Sequence, residues 1–178
     1  MPIPPFRFDP EKALNAILWI AKHISGPTFH SISKLLYFAD RLHLERYGRL
    51  ISGDSYVAMK HGPVPSGTYD IMKAVRGDGA CELASEAEKA FGVRGSYDVV
   101  PRRDPDADVF SESDIECLNE SIKRYGNLSF KELTRLSHDE AWEAVDENDI
   151  IELEQIIATL PDGKALLEHL HGEFPAHI

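Results

Sequence analysis

The side chains able to do chemistry in this chain are few and scattered. Asp40 and His43 stand three residues apart, close enough to share a helix face, and His30, His61 and His138 are further imidazoles that could join them around a metal ion. That separation of Asp and His is common by chance, and no second ligand pair accompanies it, so structural or surface histidines are expected. His169, His171 and His177 cluster near the C-terminus and are expected to be solvated. No P-loop, glycine-rich dinucleotide turn, GxSxG elbow or HExxH is present. His61, between Lys60 and Gly62-Pro63, has three readings: a general base, a ring bonded to a nearby carbonyl or to Asp54, or a partner contact. A base needs a nucleophile, pocket or metal that the sequence does not announce. The structural hydrogen bond is expected first and the partner contact second.

The elements that must position these groups are mostly helical. Asp9-Pro10-Glu11 has the chemistry of a helix start, and Leu14, Ile17, Leu18, Ala21 and Ile24 follow at helical spacing. Ser25-Gly26-Pro27 ends that helix. The next begins at Pro27 or Thr28 and runs to Arg46, with Ile32, Leu35, Leu36, Ala39 and Leu42 on one face. Tyr37 and Phe38 widen its apolar surface, which predicts a central helix. Asp40, Arg41, Glu45 and Arg46 give it a mixed outer face, unlike the basic and amide face of a DNA-reading helix.

After Tyr47-Gly48 the character changes. Gly53-Asp54 is turn chemistry, Ser55 to Lys60 alternates like a strand, and Pro63 and Pro65 hold the residues before them extended. Gly62 implies a close backbone approach or a positive φ. A third helix starts at Ser66 and carries Tyr69, Ile71, Met72 and Val75. Glu86 to Lys89 reads as a hairpin tip or a short helix. Ser96 to Pro101 reads as a strand that joins the one near Tyr56 in a small antiparallel sheet. In the last third, Ser111 opens a helix, Ser129 and Ser137 have capping-box spacing, Asp149 opens a helix holding Ile150, and Lys164 to Leu170 form a last one before a loose end, HGEFPAHI.

The expected fold is therefore mainly α with a small antiparallel β-sheet (α+β), a single compact helical domain over 1–178. Its core spans 9–160, and 161–178 hold a C-terminal helix and tail. With 178 residues, 43% of them hydrophobic, one sizeable core is within reach. A formal charge of −11 opposes general nucleic-acid binding and suits a basic protein partner. The start, MPIPPFRFDP, lacks the features of a signal peptide, no apolar run is long enough to span a bilayer, and Cys81 and Cys117 are read as free thiols. A cytoplasmic location without metal or cofactor is expected.

The stretch KLLYFAD (34–40), the Gly53-Asp54 turn and YVAMKHGPVP (56–65) closely resemble the Panacea domain of bacterial and phage antitoxins, including the SocA-like proteolytic adaptor. A weaker second portion, LSHDEAW (136–142), resembles the family's later His-and-Trp segment. The resemblance assigns the structural motif to Lys34, Tyr37, Asp40, Gly53, Asp54, Gly62, Pro63, Pro65, His138 and Trp142. It implies a non-enzymatic antitoxin that neutralises a cognate protein toxin by direct binding. In the SocA-like branch it implies delivery of that toxin to the ClpXP protease. The stiff corner loses little entropy on binding, which places the expected partner face at Tyr56, Lys60, His61, Val64 and Tyr69. A rival face is the 80–110 region. Two other classes stay open: a metal-dependent or hydrolytic enzyme using the His61 region with Asp40 and His43, and an acidic DNA mimic or transcriptional regulator.

Overall fold

The computed structural model describes residues 6–173. Helix α1 (Pro10–His23) begins where Asp9 accepts a hydrogen bond from the Lys12 amide. Helix α2 (Phe29–Tyr47) begins with a reciprocal Thr28–Ser31 capping box and ends at Gly48 in the left-handed region. Strands β1 (Tyr56–Met59) and β2 (Gly62–Pro65) form a hairpin leading directly into α3 (Ser66–Arg76). Helix α4 (Ala84–Ala90), strands β3 (Phe91–Arg94) and β4 (Asp98–Pro101) and a 3-10 turn at Ala107–Val109 follow. The last third holds α5 (Glu112–Tyr125), α6 (Phe130–Ser137), α7 (Glu140–Glu143), β5 (Ile150–Ile151), α8 (Leu153–Ala158) and α9 (Gly163–Glu173). The result is a compact α+β fold dominated by helices.

Helix α2 is the axis of this arrangement because its apolar surface wraps nearly all round. Thirteen of its 19 residues are buried, more than one face can supply. Ile32, Leu35, Leu36, Ala39 and Leu42 pack into a first cluster with α1, α3, α4 and α5. Tyr37, Phe38 and Leu44 enter a second cluster with Tyr56, Ala58, Ile151, Ile156 and Ile157. Each large apolar side chain wholly removed from water contributes about 1.5–3 kcal/mol, so both clusters depend on this one helix.

The sheets differ from the expectation. The strand at 98–101 does not join the one near Tyr56: it pairs with Phe91–Arg94, while β1 lies between β2 and β5. Ile150 is thus in a strand rather than a helix, since Tyr56 and Val57 align with Ile151 and Ile150 and the Ala58 amide donates to the Asp149 carbonyl. That pairing satisfies backbone groups an amphipathic pattern cannot foresee. The 86–89 segment is helical, because Ala87 and Ala90 bury completely against the first cluster. Ser137 does not cap a helix. It closes α6, its hydroxyl bonded to the Thr134 carbonyl, and Asp139 caps α7 in its place. The end read as loose is helical through Glu173, whereas residues 174–178, with His177, and residues 1–5 lie outside the described part.

Two prolines are tolerated in β2 because it lies at the edge of its sheet, where one side needs no ladder donors. Pro65 has no side chain to cap α3, and Asp54 supplies the cap from across the turn. Its carboxylate accepts from the amides of Ser55, Gly67 and Thr68 and from the Thr68 hydroxyl, all at 2.7–2.8 Å. Burial pushes the Asp54 carboxyl above its ordinary pKa, and these bonds counter that. Asp54→Ala is expected to cost about 2 kcal/mol, the upper end for a lost helix cap. Asp54→Asn should recover part of it, as chemical denaturation of both variants would show. Equal stability of Asp54→Ala and wild type would mean the cap is dispensable.

Candidate partner-binding site

The hairpin turn Lys60-His61 is exposed, and beside it opens a pocket of about 610 Å³. Helix α2 supplies Phe29, His30, Ser33 and Lys34 to its wall, the hairpin Met59, Lys60, His61 and Val64, α3 Tyr69, the β3–β4 hairpin Tyr97 and Asp98, and α6 Phe130. The walls are largely aromatic and aliphatic. Phe130 and Tyr97 are more than half exposed at 54% and 55%, unusual for aromatics beside a cavity. Phe130 stacks on His30 with ring centroids 3.8 Å apart and meets His61 edge-on at 5.1 Å. Phe29 lies in edge contact with both Tyr69 and Tyr97.

Lys34 is the anomaly of this wall. It is 1% exposed, forms no ion pair among the described residues, and its amine donates to the Pro63 carbonyl at 2.8 Å. Burial lowers its pKa to about 7. The same cause, helped by the charges of Lys34 and His61, lowers the neighbouring His30 to about 3, and its Nε2 lies 2.9 Å from the Thr134 hydroxyl. Gly62, at φ +117, carries the chain over this amine: a Cβ there would lie 2.8 Å from Lys34 Cε and closer still to the Ser137 hydroxyl. Both readings of Gly62, close approach and positive φ, hold together.

The two sequence portions of the motif meet around the hairpin. Trp142 Nε1 donates to the Met59 carbonyl at 2.8 Å, and the ring of His138 stacks on Trp142 at 3.8 Å. Asp139 accepts from the Tyr37 hydroxyl at 2.5 Å and pairs with Arg41. The proximity of that carboxylate, after burial, raises the Tyr37 pKa far above its usual range. Gly53, at φ +71, leaves no room for a Cβ against the Arg7 carbonyl.

Other expected site residues are placed differently. Tyr56, expected on the partner face, is instead buried: it is 1% exposed, and its hydroxyl donates to Asp40 at 2.6 Å. The alternation of β1 turns Tyr56 and Ala58 into the second cluster, so only the turn beyond them reaches the surface. Val64 is nearly buried but lines the pocket, and Tyr69 lines it half-buried. His61 does not bond Asp54, whose oxygens serve the α3 cap. Asp40 also accepts from the Ile51 amide at 2.8 Å, and burial pushes its carboxyl up to about 7. His43 bonds the Arg49 carbonyl and Ser113 and faces Asp114, away from His30, His61 and His138. Burial lowers the His43 pKa, and burial likewise raises the Cys117 thiol to about 12. Among the described residues no group of three or more His, Cys, Asp or Glu could hold a metal ion. No helix there is long and apolar enough to cross a membrane.

The reading from sequence missed Phe130, Tyr97 and His30 as parts of this face. Phe130 follows a capping serine and His30 opens α2, so neither carries a local signal of a shared pocket. The 80–110 region and the corner, rival faces in the sequence, meet here: Tyr97 and Asp98 line the same pocket as Lys60 and His61.

The fold is thus a helical scaffold displaying an aromatic-rimmed pocket beside a stiff turn. Residues 32–143 match the family described as antitoxin SocA-like, Panacea domain, and the chain belongs to that family. The matched span holds the hairpin, both motif portions and most of the pocket wall. No curated protein and no solved structure matches the chain.

Proposed function

We infer that this chain is a cytoplasmic antitoxin that neutralises a cognate protein toxin by direct binding, using the face formed by the Lys60-His61 turn and the pocket beside it. One observation carries the choice of face: Phe130 and Tyr97 stand exposed around a preorganised apolar pocket within or beside the family's own motif. Aromatic side chains in such settings dominate binding energy, and a stiff hairpin adds little ordering cost. The unit that binds is the single domain with its core at 9–160. In the finer form of this reading the complex is delivered to ClpXP, and toxin half-life would then lengthen in cells lacking that protease.

The test co-expresses each variant with the product of the neighbouring gene as the candidate toxin. Phe130→Ala and Lys60→Glu are expected to weaken toxin binding at least about tenfold, the ~1.4 kcal/mol typical of a contact that matters. Both side chains are exposed, so stability should change by only about 0.5 kcal/mol. Variants that melt normally and still protect cells fully would place the toxin on another face.

A further inference from the structure

The pocket holds a polar group that the binding reading does not use. The protein carries a formal charge of −11, yet this wall contains Lys34, Lys60, His30 and His61 against a single carboxylate, Asp98. Lys34 is the unusual member. An ammonium has three protons to donate, and among the described residues the Pro63 carbonyl is its one hydrogen-bond acceptor. A buried amine so poorly matched costs stability, so a core with only a structural duty would be better served by Met or Leu. A carboxylate entering between the aromatic walls would give the amine its missing acceptor and counter-charge in a setting of low dielectric.

We propose that the pocket is a receptor for an aromatic side chain with an adjoining carboxylate, contributed by the toxin, and that the carboxylate pairs with the Lys34 amine. This rests on the reading of the face as the toxin site and names the chemistry the toxin presents there. The aromatic group packs among Phe29, Tyr69 and Val64, and Lys60 draws the anion toward the turn. Binding takes up a proton, because the free amine is largely neutral above pH 7 while the paired amine is an ammonium. The other titratable groups facing Lys34 are His30 on its own helix, His61 on the hairpin turn and His138 after α6. His30 is held neutral by burial, and burial also lowers His138. Tyr69, Tyr97 and Asp98 complete the ionisable groups of the wall. His138 also feels Glu143, which lies outside it.

The test titrates hydrocinnamate into the full chain, with hydrocinnamamide as the neutral isostere, and follows backbone amides by NMR. The carboxylate is expected to bind at least about tenfold more tightly than the amide and to shift the signals of His61, Gly62 and Phe130. Calorimetry at pH 8 in two buffers of different ionisation enthalpy should show uptake approaching one proton. Affinity should fall by up to about tenfold per pH unit above pH 7. Lys34→Met should abolish both the carboxylate preference and the proton uptake. Should that variant fail to fold, the wild-type comparison and proton count decide alone. Equal binding of acid and amide, or binding without proton uptake, would overturn the proposal. Saturating hydrocinnamate should also displace the toxin, and a complex that persists would overturn the toxin as the occupant. If Phe130→Ala and Lys60→Glu break the toxin complex while hydrocinnamate shows no preference, the binding face stands and the carboxylate receptor falls. The opposite pattern, with hydrocinnamate preferred but both variants still holding the toxin, would remove the toxin from this face and with it the occupant proposed.

Discussion

Between pH 7 and pH 9 the wild-type protein is expected to become more resistant to unfolding, by about 2 kcal/mol, and Lys34→Met to lose that gain. Lys34 releases its proton near pH 7 when folded and near 10.5 when unfolded. Between these values the unfolded chain binds the extra proton, so raising the pH favours the folded state by about 1.4 kcal/mol per unit. Asp40 and His30 work in opposite senses at lower pH. Asp40, raised from 3.8 to about 7, removes stability as pH climbs through that range. His30, lowered from 6.5 to about 3, adds stability over nearly the same range. Above pH 7 His30 is largely spent and Asp40 removes only the last part of its share, so Lys34 dominates until the Cys117 thiol, raised from 9.0 to about 12, begins to oppose it. Chemical denaturation at pH 7, 8 and 9 reads the slope. Absolute stability of Lys34→Met is less informative, because the Pro63 carbonyl also loses its donor. A flat wild-type profile would mean that the folded chain keeps Lys34 charged.

Gly62→Val is expected to cost on the order of 3–5 kcal/mol. A β-branched residue at φ +117 is strained whatever surrounds it, at about 1–3 kcal/mol. Its Cβ would also meet Lys34 Cε at 2.8 Å and crowd the Ser137 hydroxyl, and overpacking of this kind costs about 1–3 kcal/mol more. Neither neighbour can easily retreat, since Lys34 is tied to Pro63 and Ser137 to Thr134. For a chain of this length the thermal midpoint should fall by roughly 10 °C. Gly62→Ala should show the same direction with a smaller loss. A midpoint unchanged in Gly62→Val would show that the corner can relax around a side chain.

Local chemistry made much of this protein legible. Asp9, Thr28, Ser111 and Ser129 cap their helices because the acceptor and the free amides lie within three residues of each other. The apolar spacing of α2 marked it as central, and the Gly62-Pro63-Val64-Pro65 corner announced its own stiffness. The resemblance from Lys34 to Tyr69 pointed to the family to which the chain belongs.

What the tertiary structure decided are relations between distant segments. Ile150 reads as the apolar face of a helix, and only the free edge of β1 draws it into a strand. Tyr56 reads as a surface hot spot, but strand alternation beside Asp40 turns it inward. Asp54 caps a helix that starts 12 residues later, a bond no local pattern predicts. The pocket is the plainest case, for it joins His30, His61, Tyr97 and Phe130 from four separate segments. Lys34, an ordinary basic residue in the sequence, becomes a buried amine only because α6 and the hairpin close over it. Periodicity reports which side of an element is apolar, whereas burial of a polar group depends on which other elements cover it.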